Sequence, residues 1–319
     1  MNILMIAIND PAGTAILFTK AINRYTEHTC RLITKETRYN HLFEKDLHLP
    51  WLDDKDWNEV EHLLTKSDII HFHMTADESL QIGPFKLKDY ITNKSIVHHH
   101  HGHPDFRSNP HKYRDKYKAL NRQNLIVSTP DLLKMLPEAR WVPNLVPINN
   151  ALYLPQRALE KGGVVLGQSP TRKGLKNTSE LLHAINQINQ NGTPHGVQLN
   201  IIENTPHREC LKRKNACHII FDHMQGYYGV SSLESLSQGK PVIAGLDDWN
   251  IHCIKEFTGA DKLPWINARN QKQLAERLQM LVPSSDRRKN IGMESRLFME
   301  NRWSEQKVLK KLFEGYATL

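Results

Sequence analysis

The residues with the clearest chemical potential lie in the stretch 226–245, which reads GYYGVSSLESLSQGKPVIAG. The order of residue types predicts a glycine loop, a helix that starts at Gly229, a glycine stop and then a strand. The backbone N–H groups of Val230 and Ser231, at the positive end of that helix, can bind a diphosphate. Glu234 follows one turn later, where a carboxylate can accept hydrogen bonds from both hydroxyls of a ribose. The spacing alone also fits a glycine-capped helix with a surface glutamate.

Basic side chains form a second group, in the sequence GQSPTRKGLKNTSELLHAI after the apolar run 164–167. Arg172, Lys173 and Lys176 would lie in a loop at the carboxyl end of a strand, which is where open α/β sheets bind ligands. Cations there can stabilise phosphate charge. Three basic residues are also typical of a solvated loop.

The turn after the first apolar run offers a further helix start, in the sequence NDPAGT. Gly13 and Thr14 can let a helix N-terminus approach an anion, although a plain strand-to-helix turn explains them equally well. The turn lacks the GxGxxG pattern, which disfavours nicotinamide binding.

A run of histidines occurs in IVHHHHGHPDFR. Consecutive residues of a strand point to opposite faces, so the four histidines 98–101 cannot converge on one metal ion, and we predict no metal site. A neutral histidine here can instead hydrogen-bond a hydroxyl or transfer a proton. His71 and His73, which alternate along an earlier apolar run, are predicted to be structural.

Short β-rich runs alternate with amphipathic stretches along the whole chain, which predicts parallel sheets built from right-handed βαβ units. The predicted strands are 3–8, 31–34, 68–73, 95–99, 125–128, 163–167, 197–203, 218–222, 241–245 and 264–267. Prolines at 143, 147 and 155 interrupt any helix between the two groups of strands, so we place the domain boundary near Asn150. The predicted domains are 1–150 and 151–300, and the helix at about 300–319 is expected to pack back on the first domain.

The composition is that of an ordinary globular protein, with 39% hydrophobic residues, 24% charged residues and a mean hydropathy of −0.55. The net charge of +8 indicates an anionic partner. Basic residues concentrate in 107–122, which fits either a solvated helix face or a surface that contacts an acceptor or an anionic membrane. The four cysteines form no CxxC pair and the first residues do not read as a signal peptide, so a cytoplasmic location is expected.

The combination of residues in the stretch 226–245 resembles the signature of retaining GT-B glycosyltransferases of family four, also called group 1. The matching residues are Gly229, Glu234, Gly239, Lys240, Pro241 and Val242. The resemblance implies an α/β fold of the GT-B type, in which two Rossmann-like domains with parallel sheets face an interdomain cleft. It also implies metal-independent sugar transfer, without a cofactor, from a UDP- or GDP-sugar to a hydroxyl of a glycan, lipid-linked or other acceptor. Surface polysaccharide or glycoconjugate synthesis would be its context.

The resemblance also assigns roles to individual residues. It implies that Arg172 and Lys176 stabilise the leaving diphosphate, with Lys173-Gly174 as the alternative position for the family's Lys-Gly pair. His101 becomes a catalytic candidate, and His100 and Gly102 are placed against the donor sugar.

One family residue is missing, because the first of the paired glutamates falls on Gly226. Asp222 can supply a carboxylate nearby, although an aspartate at a strand end is as often a cap. The missing glutamate leaves the donor sugar and the stereochemical outcome open.

Two other functions are compatible with these residues. A non-hydrolysing nucleotide-sugar epimerase shares the two-domain layout and would need no acceptor. A non-catalytic protein that binds a nucleotide sugar or a nucleic acid would explain Gly226 as a sign of lost catalysis, although nucleic acid is the less favoured partner.

Overall fold

A computed structural model describes residues 1–38, 43–156, 163–190 and 196–317. The chain divides into two compact units. The first comprises Met1–Leu145 together with Glu305–Leu319, and the second comprises Val146–Ser304.

The strands are short and mostly buried, as the apolar runs predict. In chain order they are β1 Asn2–Ala7, β2 Thr29–Thr34, β3 Leu47–His48, β4 Ile69–His73, β5 Gln81–Ile82, β6 Phe85–Lys86, β7 Ser95–His100, β8 Leu125–Val127, β9 Arg140–Trp141, β10 Val164–Gln168, β11 Val197–Ile201, β12 Ile219–Phe221, β13 Val242–Ala244 and β14 Ile266–Asn267.

Helices connect most of these strands. They are α1 Thr14–Tyr25, α2 Asp56–Lys66, α3 Pro104–Ser108, α4 Pro110–Ala119, α5 Thr178–Gln190, α6 His207–Asn215, α7 Val230–Ser237, α8 Asp248–Thr258, α9 Gln271–Leu281, α10 Ser285–Arg302 and α11 Glu305–Tyr316. None of the helices in the described ranges is long and apolar enough to span a membrane.

The first unit is built on a parallel sheet. Over the described residues its strand order is β3-β2-β1-β4-β7-β8-β9, and β5 and β6 form a separate antiparallel hairpin. The chain moves outward from β1 to β3 and then restarts on the other side of β1 with β4. The carboxyl ends of β1 and β4 therefore flank a topological switch point, where such sheets bind ligands.

The second unit repeats this plan with a parallel sheet of order β11-β10-β12-β13-β14 in the described part of the chain. Its switch point lies between β10 and β12. All ten predicted strands occur in one of the two parallel sheets, which confirms the predicted α/β class.

Each unit has a hydrophobic core of its own. In the first unit Leu4, Ile70 and Phe72 from neighbouring strands pack with Val60 and Leu64 of α2. In the second unit the residues of β10, β12 and β13 pack against α5 and α9. These cores fix the strand ends and therefore the loops that follow them.

The last helix, α11, belongs to the first unit and packs on α1. Its residues Val308, Leu309 and Leu312 are buried. Tyr316 is also buried and reaches His71 of β4.

Candidate functional site

The loops at the switch point of the second sheet bring several candidate residues together. Lys176 follows β10 and Asp222 follows β12, and the Lys176 ammonium lies 3.6 Å from a carboxylate oxygen of Asp222. The Ser231 hydroxyl, at the start of α7, lies 3.0 Å from that of Ser169, which directly follows β10. The structure thus places a basic loop and a helix N-terminus side by side.

Asp222 caps the N-terminus of α7. Its Oδ2 accepts hydrogen bonds from the Gly229 N–H at 2.6 Å and from the Ser232 hydroxyl at 2.7 Å. Burial acts to raise the pKa of Asp222, but the neighbouring His223 and Lys176 and these hydrogen bonds lower it below its usual value. The carboxylate is therefore ionised, and the N–H group of Gly229 is already used.

A second contact joins the two loops through Asn177. Its Oδ1 accepts a hydrogen bond from the Met224 N–H at 2.9 Å, and its φ of 53° lies in the left-handed region that favours glycine. Gly174 does not have a positive φ. The backbone therefore favours Lys176-Asn177, rather than Lys173-Gly174, as the counterpart of the family's Lys-Gly pair.

Glu234 is buried inside the second unit and contacts two basic side chains. Its Oε1 lies 2.6 Å from Nε2 of His207, and its Oε2 accepts a hydrogen bond from Nζ of Lys214 at 2.5 Å. Burial opposes ionisation, but the charges of Lys214 and His207 lower the pKa of Glu234 to about 2. Lys214 and His207 lie in α6 and were missed in the sequence, where the stretch HRECLKRKN reads as an ordinary charged helix.

The other two basic candidates of this loop are exposed. Lys173 forms an ion pair with Glu203 at 2.8 Å, and its side chain is about half exposed. Arg172 is exposed beside it, just before a short 3-10 helix. Lys176 contacts Asp222, the residue that caps α7.

Gly226, which replaces the family glutamate, has a φ of 94°. An L-residue is strained at this angle, so the local backbone does not accommodate a glutamate. A carboxylate is nevertheless close, because a β-carbon built on Gly226 would lie 3.6 Å from Oδ2 of Asp247. The Asp247 N–H donates to the Gly226 carbonyl at 2.7 Å, and Oδ1 caps α8 through Asn250. Asp247 was not singled out in the sequence.

In the first unit, the turn at Gly13 is also capped by an aspartate. Asp10 Oδ2 accepts a hydrogen bond from the Ile16 N–H at 3.0 Å, and burial raises the pKa of Asp10. Gly13 has a φ of 66° and directly precedes α1, and Thr14 is the buried first residue of that helix. The helix start predicted from the sequence is thus present, with its own carboxylate beside it.

The two histidine candidates at the end of β7 occupy opposite faces of the sheet. His100 is buried, stacks on Phe106 and lies 2.7 Å from the Tyr117 hydroxyl through Nε2. His101 is half-buried, and its Nε2 lies 2.9 Å from Nδ1 of His73. Burial lowers the pKa of both, to about 3 for His101, so both rings are neutral at neutral pH.

Gly102 follows with a φ of 75° and is covered by Arg107. The Arg107 guanidinium donates to the Gly102 carbonyl at 3.3 Å and to Asp131 at 2.7 Å. Both of these contacts of Arg107 lie within the first unit.

Most basic residues of 107–122 are neutralised by acids from elsewhere in the first unit. The ion pairs are Arg107 with Asp131, Lys112 with Asp105, Arg114 with Glu138, Lys116 with Asp77, and Arg122 with Glu78. The local excess of positive charge seen in the sequence is therefore much smaller in the folded protein.

No protein-family model matches the sequence, and no curated protein matches it either. Solved structures do match over the whole chain. HepE from Anabaena in complex with UDP superposes with a TM-score of 0.64 at 14% identity, covering 100% of both chains. Sucrose-phosphate synthase from Thermosynechococcus elongatus gives 0.63 at 12% identity, covering 100% of this chain and 98% of that one.

An epimerase also matches. The UDP-GlcNAc 2-epimerase from Neisseria meningitidis bound to UDP-GlcNAc gives a lower TM-score of 0.52 at 12% identity, with both chains fully covered. At these identities the similarity establishes the fold. The chain has the GT-B fold, as the resemblance in the stretch 226–245 predicts.

Proposed function

We propose that this protein is a glycosyltransferase that moves a sugar from a nucleoside diphosphate sugar to an acceptor hydroxyl. The observation that carries the proposal is the meeting of Lys176, Asp222 and the α7 N-terminus at the switch point of the second sheet. The similar structures of HepE and of the S. aureus protein TarM, which contain UDP, support a nucleotide donor.

Lys176 and Arg172 are the groups that would stabilise the leaving diphosphate. A departing diphosphate gains negative charge in the transition state, and a positioned cation stabilises that charge more than it stabilises the bound donor. The N–H groups of Val230 and Ser231 add the positive end of α7 to the same region, with Lys173 at its exposed edge. With these groups we propose that the transfer needs neither a metal ion nor a cofactor.

Glu234 is proposed to bind the ribose of the donor. Lys214 and His207 hold its carboxylate ionised and fixed in orientation, and each carboxylate oxygen can accept more than one hydrogen bond. The base of the nucleotide, uracil or guanine, stays open in this proposal.

The stereochemical outcome rests on the resemblance to the retaining family four, from which Gly226 departs. We propose that Asp247 supplies the carboxylate that a glutamate at position 226 would have supplied, because its Oδ2 lies beside that position. The proposed contacts of the donor and the acceptor in the first unit are His100, His101, Gly102, Gly13 and Thr14.

The acceptor is proposed to be a glycan, a lipid-linked sugar or another hydroxyl compound in surface polysaccharide or glycoconjugate synthesis. We propose a cytoplasmic enzyme that can also bind peripherally at the inner face of the membrane, for which the net charge of +8 is the support. The ion pairs within 107–122 make that stretch a weak contributor to membrane contact.

The direct test is to incubate the purified protein with UDP- and GDP-sugars and to measure nucleotide binding by calorimetry and nucleoside diphosphate release by a coupled assay. Saturable binding and acceptor-dependent release are expected. Absence of both with every donor would overturn the proposal. Formation of a new nucleotide sugar without acceptor would instead identify an epimerase, and salt-sensitive nucleic-acid binding without turnover would identify a binding protein.

A further inference from the structure

Three buried histidines of the first unit share one face of its sheet. His71 and His73 alternate along β4, and His99 lies on the adjacent strand β7, where it is the register partner of His73. Residues two apart on a strand point to the same face, and paired residues of neighbouring strands do so as well. The run 98–101 therefore contributes one histidine of this cluster, and β4 contributes two.

The ring nitrogens of the cluster converge. One nitrogen from each of the three histidines lies within 4.8 Å of the others. Nε2 of His71, Nε2 of His73 and both nitrogens of His99 are buried without a hydrogen-bond partner among the described residues. A buried polar atom left without a partner destabilises the folded state, so proteins rarely leave several together.

In two of the rings, those of His71 and His73, Nδ1 contacts a further side chain. Nδ1 of His71 lies 2.5 Å from the Tyr316 hydroxyl, and Nδ1 of His73 lies 2.9 Å from Nε2 of His101. When Nδ1 of each ring donates in these contacts, the lone pair of each ring lies on Nε2, the atom without a partner. An outer partner that fixes the tautomer of a histidine in this way is a regular feature of metal sites.

We propose that His71, His73 and His99 bind one divalent transition-metal ion, with Zn²⁺ as the best fit. Imidazole nitrogens suit zinc, copper and nickel, whereas magnesium and calcium require oxygen ligands. Zinc bonds imidazole nitrogen at about 2.0–2.1 Å, so on binding the ion the three nitrogens would approach one another to about 3.4 Å. The ion would join β4 to β7 and, through Tyr316, to α11.

None of these three histidines is among the residues proposed to bind the donor or the acceptor, although the proposed contact residue His101 touches His73 through Nε2. The three residues lie in the first unit, and their atoms are not part of the group formed by Lys176, Asp222 and α7. The proposal therefore stands whether or not the protein transfers sugars.

The test uses the full-length protein produced in medium with added zinc, and then stripped and titrated with Zn²⁺ and with Co²⁺. We expect about one zinc per chain by mass spectrometry of the metal, and intense visible absorption from tetrahedral Co²⁺. His99→Gln and His73→Gln are expected to weaken zinc binding at least 100-fold, and Tyr316→Phe about 10-fold or more. Circular dichroism verifies that each variant is folded.

His98→Gln is the matched control, since His98 lies on the same strand but faces the other side of the sheet, beside Glu78. Arg122 still pairs with Glu78 in that variant, and zinc binding is expected to be unchanged. Only weak, octahedral Co²⁺ absorption, or equal zinc binding by the wild type and Tyr316→Phe and His99→Gln, would assign the metal to surface histidines and overturn the proposal.

Discussion

Lys176 is the residue on which the proposed chemistry depends most directly. Its ammonium lies 3.6 Å from Asp222, the residue that caps α7. The loop that carries Lys176 is joined to the segment that follows β12 by the hydrogen bond from the Met224 N–H to Oδ1 of Asn177. The position of the positive charge therefore depends both on the lysine and on the contact between the two loops.

We expect Lys176→Ala to lower kcat about 100-fold, because a positioned charge that stabilises a leaving group is typically worth this much. The measurement is steady-state kinetics, with the donor that the binding experiments identify. Lys262→Ala, which removes an exposed lysine paired with Glu294, is the control and should leave kcat unchanged. Equal rates for both variants would remove Lys176 from the mechanism.

The buried ion pair of Glu234 leads to a prediction about the free energy of unfolding. Removing one member of a buried ion pair leaves the partner charge unpaired, so Glu234→Gln should lower the free energy of unfolding by about 3 kcal/mol. Urea denaturation measures this. Glu209→Gln, in which the lost partner is the exposed Lys212 at 3.9 Å, should change it by less than about 0.5 kcal/mol.

The pH dependence of this difference follows from the lowered pKa of Glu234, about 2 against 4.5. A carboxyl group with a lowered pKa stabilises the folded state above its unfolded pKa and loses that contribution as the pH falls. The stability difference between wild type and Glu234→Gln should therefore be full above pH 4.5 and shrink between pH 4.5 and 2. A difference that is constant over this range would contradict the assigned pairing.

At the scale of elements, α7 is held by a close contact with α10. A β-carbon added to Gly292 of α10 would lie 2.2 Å from the backbone carbonyl oxygen of Gly239, just after α7. A backbone atom cannot move away as a side chain can, so this approach requires glycine on α10.

We therefore expect Gly292→Ala to lower the free energy of unfolding by about 1–3 kcal/mol, the usual effect of overpacking. Thermal and urea unfolding measure it. Gly315→Ala in α11 is the matched control, because nothing lies within 4 Å of its added β-carbon. There the better helix propensity of alanine should raise stability by about 0.5–1 kcal/mol. A neutral Gly292→Ala would show that the two helices can separate.

The elements that could be predicted from sequence are those that local pattern determines. Apolar runs such as 69–73 and 219–221 identify buried parallel strands because both faces are covered. The sequence did not predict the two-residue strands β3 and β9 or the hairpin β5-β6. A strand of two residues is too short to show an alternating pattern of apolar and polar residues.

Partners brought together by the fold could not be predicted. Nothing in the sequence near Glu234 indicates Lys214 or His207, and the basic stretch 107–122 reads as unpaired because Asp77, Glu78, Asp131 and Glu138 lie elsewhere in the chain. The histidines of the run 98–101 cannot converge along one strand, whereas the cluster of His71, His73 and His99 draws on two adjacent strands, a pairing that one strand's sequence does not reveal. Tertiary contacts decide charge and ligand geometry, and a single sequence leaves them open.

At the scale of the whole molecule, the two units differ in how the chain builds them. The second unit is one continuous segment, Val146–Ser304, whereas the first also needs Glu305–Leu319. Within that segment α11 buries Val308, Leu309 and Leu312 against the first unit. Burying three such side chains contributes several kcal/mol, roughly 1.5–3 kcal/mol each.

This difference predicts unequal behaviour of fragments. Residues 146–304 produced alone should fold cooperatively, because their core is closed within the segment, and should retain nucleotide binding through Lys176 and Glu234. Residues 1–145 alone should be aggregation-prone or partly unfolded, and a chain in which 305–319 is joined to residue 145 by a flexible glycine-serine linker should regain a cooperative transition. Circular dichroism, thermal unfolding and calorimetry with UDP and GDP distinguish these outcomes.

A stable, cooperative 1–145 fragment would show that α11 is dispensable for the first unit. Loss of nucleotide binding by a folded 146–304 fragment would show that the donor site needs residues outside the second unit.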